Sequence, residues 1–150
     1  MRMDETFLEN LLGIVIDLTS TERGLAVDGD LAVQKARNMD SALLESEDFM
    51  DFTNGCLREA LDSGDTVFTN NVITDLSEAP TTNTNFSNLR VIVALPIDTK
   101  GAIYIDQHIK NGVIHKEIIE KIERLIGELL PVSDQPMSKD DMMERFNALD

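Results

Sequence analysis

The chain has 150 residues, a formal net charge of −15, 42% hydrophobic residues and one cysteine. Contacts to phosphate backbones and anionic lipid need a basic surface, so this balance argues against nucleic acid and membranes as partners. Cys56 alone forms no internal disulfide, and no apolar run approaches the ~20 residues of a membrane span. A single cytoplasmic domain, with enough residues for a real core, is the expectation.

Asp4 to Leu18 carries Phe7, Leu11, Ile14, Val15 and Leu18 at helical spacing, which predicts an amphipathic helix. A hairpin follows over residues 21–38. Leu25, Ala26 and Val27 lead in, Leu31, Ala32 and Val33 lead out, and Asp28-Gly29 supplies a pair that tolerates positive φ at the turn. Asp40 or Ser41 caps a second helical region, whose pattern Glu45, Glu47 and Asp48 break. A third helix is predicted from Asn54 to Leu61, stopped by Ser63-Gly64.

Residues 66–73 suit a strand, and residues 74–88 form a polar connection of a length that points to function. Residues 89–97, LRVIVALPI, are apolar on both alternating faces, so this strand is expected to be covered on both sides. Asp98-Thr99-Lys100 turns into a strand at 101–109, and Asn111-Gly112 marks another turn. Lys116 to Leu130 shows one apolar stripe with Glu117–Lys121 and Glu120–Arg124 pairs in the favourable order. Pro131 ends it. Residues 131–150 read as a linker and a short helix capped by Ser138, carrying Met142, Met143, Phe146 and Leu149.

Four stretches in this order and spacing carry a family resemblance: TERGLAVDGD followed by ARN, FTNGCLREALDSGDTVFTNN, LRVIVALPI and GAIYIDQ. Together they resemble a GAF domain, a sensory module of bacterial signalling proteins, over residues 4–130. Thr21-Glu22-Arg23-Gly24 stands where that family has an alanine-glutamate-arginine-glycine. Gly101 to Asp106 matches its late strand of glycine, two apolar residues, tyrosine, apolar residue and aspartate. The resemblance implies an α+β fold with an antiparallel sheet of five to six strands. Terminal helices cover one face, and a ligand pocket lies under the middle helices and the long loop on the other. It places residues 1–130 in the sensory domain. Arg23 and Arg37 are expected at neighbouring hairpin ends, paired with acidic groups such as Glu22 or Asp106.

No compact catalytic or metal-binding pattern stands beside it in the sequence. His108 and His115 lie too far apart for a tight ligand set and are expected at a solvated strand end, and Asp28-Gly29-Asp30 lacks the remaining ligands of a calcium loop. No phosphate-binding glycine loop or nucleophile motif is present, and one cysteine cannot serve as both nucleophile and resolving thiol. Cys56 is expected to be a small buried hydrophobe. The chain therefore reads as a non-enzymatic binding module without metal or cofactor. Its expected ligand-binding residues are Asp75, Phe86, Ser87 and Arg90, with Arg90 a natural partner for an anion or for Asp75. Its occupancy would act on a separate effector protein; the alternative is a ligand-free module for dimerisation or docking. Apolar residues beyond one stripe on the terminal helices (Leu8, Leu12, Ile119 and Ile126) point to a homodimer. The tail helix is the rival cover for that surface.

Overall fold

Asp4 starts the first helix, its side chain accepting the Phe7 amide at 3.0 Å, and the helix (α1, Glu5–Thr19) ends at Ser20 in the left-handed region. The computed structural model describes residues 3–72 and 89–149. After α1 come β1 (Arg23–Asp28), β2 (Val33–Arg37), α2 (Ser41–Leu44), α3 (Glu47–Ser63) and β3 (Val67–Val72). Beyond residues 73–88 follow β4 (Leu89–Ile97), β5 (Gly101–His108), α4 (Lys116–Leu129) and α5 (Lys139–Ala148). Among the described residues no helix is long and apolar enough to cross a membrane.

The five described strands form one sheet in the order β2-β1-β5-β4-β3, with every pair antiparallel. β4 is covered on both faces, as the apolar residues on its two alternating sides predict. Ile92 and Ala94 pack with α3, while Val93, Leu95 and Ile97 pack with the layer of α1, α4 and α5. The alternation of side chains along each strand divides the core into these two layers.

Two local readings change. The third helix begins at Glu47, seven residues earlier than the apolar pattern indicates, because the Ser46 hydroxyl caps it by accepting the Phe49 amide at 3.4 Å. Glu47 and Asp48 then sit in the first turn, where the helix dipole favours carboxylates, so residues that look like breakers are starters. At the hairpin the positive φ falls on Leu31 (66°) rather than on Gly29. The Asp28 carboxylate organises the turn by accepting the amides of Asp30 and Ala32. Gly29 is needed for space instead, since a Cβ there would stand 2.8 Å from the Thr99 carbonyl oxygen.

The terminal helices are covered within the chain. Leu8, Leu12, Ile119 and Ile126, the residues expected to face a second subunit, are all buried within the chain. α5 packs on α1 and α4, burying Met142 and Phe146 in the same cluster. The Asn10 amide donates to the Met137 carbonyl at 2.7 Å, and the Lys121 ammonium lies 4.4 Å from the Phe146 ring centroid. α1 exposes only the side of Glu5, Thr6, Glu9 and Asp17, and its wide apolar face is covered by β1, β2, α4 and α5.

Candidate functional site

On the α3 face of the sheet, at the end where β1 starts and β5 finishes, ionisable side chains from three neighbouring strands meet. The register brings them together. Arg23 of β1 lies opposite Asp106 of β5, and Arg90 of β4 lies opposite His108 of β5. Residues 23, 90, 106 and 108 share the strand parity of Leu25, Ile92 and Tyr104, so all of them face α3.

Asp106 is the hub. Its Oδ1 accepts from Arg23 Nε at 2.8 Å and from Arg90 Nη1 at 2.9 Å, while Oδ2 accepts from the Tyr104 hydroxyl at 2.7 Å. The carboxylate is fully buried and both arginines nearly so. Glu22, about one third exposed, lies 3.5 Å from Arg90 Nη1 and accepts the His108 amide. Arg90 Nη2 also lies 3.1 Å from His108 Nε2. A guanidinium only donates, so Nε2 is the acceptor and the ring hydrogen resides on Nδ1. That buried Nδ1 has no hydrogen-bond partner among the described residues.

α3 closes the site from above. Phe49, held in its first turn by the Ser46 cap, lies 5.3 Å from the Arg23 guanidinium carbon and edge-on to Tyr104 at 5.9 Å. The cation over the ring face and the T-shaped ring pair are both favourable arrangements. Burial pushes the Tyr104 phenol well above its ordinary range, and the Asp106 charge beside it adds to the effect. Tyr104 therefore stays a neutral donor. The fully buried Thr53 hydroxyl stands close enough to ease phenol ionisation slightly, yet it makes no hydrogen bond of good geometry among the described residues. Gly24 keeps β1 tight against β5 here, because a Cβ would stand 2.7 Å from the Tyr104 carbonyl oxygen.

Of the expected site residues, Arg90 is in this cluster, paired with Asp106 and Glu22. Asp75, Phe86 and Ser87 lie outside the described residues. Arg23 pairs with Asp106 as expected, but Arg37 turns to α1, 3.7 Å from Asp17 and 3.4 Å from the Gly13 carbonyl oxygen. His108 is not at a solvated strand end; its alternation with Tyr104 and Asp106 along GAIYIDQH is the signal that places it inside. His115 precedes α4 and is exposed. A cleft of about 460 Å³ lies at the opposite end of the sheet, by Met3, Asp28 and Lys100, away from these buried polar groups.

Cys56, on α3, is buried as expected. Burial raises its thiol pKa and the nearby Glu59 carboxylate raises it further, so little thiolate forms at neutral pH. A thiol reagent should label the native protein far more slowly than the urea-unfolded chain; equal rates would contradict this burial.

A crystal structure of a GAF domain/HD domain protein from Geobacter sulfurreducens aligns with 94% of this chain and 99% of its own, with a TM-score of 0.50 and 14% identity. The chain has a GAF-like fold. No family model and no curated protein matches the sequence. At that identity the GAF-like architecture is shared while the site residues must be read from this chain alone. The α3 face, which carries the charged cluster, is the face where the resemblance implies a pocket.

Proposed function

We propose that this chain is a non-catalytic, cytoplasmic regulatory domain of GAF type that binds a small molecule on the α3 face and passes occupancy to its terminal helices. The observation that carries the reading is the Arg23–Asp106–Arg90 cluster, with the His108 Nδ1 hydrogen and the Thr53 hydroxyl buried beside it and unmatched among the described residues. Unmatched buried polar groups cost free energy, and a ligand bearing hydrogen-bond acceptors would satisfy them. β5 gives the signal a route. Asp106 faces α3 while its neighbour Ile105 packs with α1, α4 and α5, so a shift at the cluster is felt on the other face.

One observation favours a ligand-free interaction module instead: Asp106 already accepts from both arginines and from Tyr104. Native mass spectrometry of the protein purified from its own cells separates the two readings. A stoichiometric small-molecule adduct, lost on denaturation, is the expected result. A clean unliganded mass under gentle conditions would replace the sensor reading with the interaction module.

A further inference from the structure

We propose a second site, on the opposite side of the sheet from α3: the cleft between α1, β2 and the start of α5 binds a phosphate-sized oxyanion. The cleft has a volume of about 320 Å³ and is lined by Lys35, Arg37 and Lys139, with Glu9, Asn10 and Leu12 along its α1 wall. That volume lies at the lower end of the range for ligand sites, roughly 300–1,000 Å³.

In a chain of net charge −15, three cations around one cleft reverse the local sign. Two of them converge on one point. The point where a Cβ on Gly13 would stand is 2.8 Å from Lys139 Nζ and 3.0 Å from Arg37 Nη1. Like charges that converge on one point repel, and an anion between or beside them relieves that repulsion. The carboxylates at hand do not fill this role well. Glu9 lies 3.9 Å from Lys35 and Asp17 lies 3.7 Å from Arg37, and both acids are mostly solvent-exposed. Long, exposed pairs of this kind contribute little and yield readily to a better-placed anion. A phosphate carries about −1.5 to −2 at neutral pH and several acceptor oxygens, which suits three donors better than a single carboxylate does. Because Lys139 belongs to α5, and Lys35 and Arg37 to β2, the bound anion would tie the tail helix to the sheet edge.

The test compares thermal unfolding and amide NMR spectra of the full chain in inorganic phosphate and in sodium chloride of equal ionic strength. Phosphate should raise the unfolding temperature above the chloride control and shift amides near Gly13, Arg37 and Lys139. Arg37→Gln and Lys139→Gln, both at exposed or half-exposed positions, should each weaken binding by about tenfold, while Lys116→Gln leaves it unchanged. A parallel titration with glycerol phosphate identifies the source: tighter binding than inorganic phosphate names a monoester, weaker binding the free ion, and both support the site. Equal effects of phosphate and chloride would overturn the proposal. So would undiminished binding in either glutamine variant, or shifts centred on Arg23 and Arg90 instead.

Discussion

Asp106→Ala is expected to destabilise the protein by about 3–5 kcal/mol, the usual consequence of removing one partner from a buried ion cluster. The loss is large because a single carboxylate serves Arg23, Arg90 and Tyr104, and removing it leaves two buried guanidinium groups facing each other. Among the described residues Glu22 is the other acid beside Arg90, but it is about one third exposed and already accepts the His108 amide. Arg90→Ala should cost a similar amount for the mirror-image reason. Arg37→Ala, whose pair with Asp17 is long and exposed, should stay within about 1 kcal/mol. Urea unfolding reads these differences as shifts in midpoint at unchanged slope. Against a total stability of about 5–15 kcal/mol, the two buried substitutions stand well apart from the exposed one. A loss below about 1 kcal/mol for Asp106→Ala would mean that the cluster is solvated and not a closed network.

Phe146→Ala should cost about 3–5 kcal/mol, the range for a phenylalanine removed from a packed core. Its ring is nearly buried among the residues of α1 and α4 and carries the Lys121 ammonium over it. A chain ending at Met137 extends the test. It keeps the Ser133 carbonyl that accepts the Asp4 amide and the Met137 carbonyl that accepts from Asn10, while removing α5 itself. Without α5, apolar surface of α1 and α4 opens, and burial of such surface drives association. Sedimentation at micromolar concentration should show the shortened chain self-associating and the full chain not associating through this surface. A shortened chain that stays monomeric and as stable as the full chain would show α5 to be dispensable as a cover.

Much of the architecture was legible along the chain because each element's own periodicity and end signals are local. Asp40 and Ser138 cap the helices that their positions predict, Gly112 takes positive φ at its turn, and the doubly apolar run at 89–97 becomes a strand covered on both faces. Ser46 was the missed signal. An N-cap outweighs the interruption of an apolar stripe, because it satisfies amides that a helix start otherwise leaves open. The candidate site was less legible. Arg23, Arg90 and His108 could each be recognised as a polar residue at the end of an apolar strand, but their meeting at Asp106 depends on strand order.

The sequence by itself determined which residues of each strand face the same way, and hence that Tyr104, Asp106 and His108 share one side of β5. Only the tertiary structure decided what they meet. Placing β5 between β1 and β4 closes Arg23 and Arg90 on one carboxylate across 83 and 16 residues of chain. The surplus of apolar residues on α1 and α4 likewise stated that a cover was needed without naming it. Periodicity records how much of an element is buried, whereas the identity of its cover is set by chain connectivity and by the geometry with which distant elements pack.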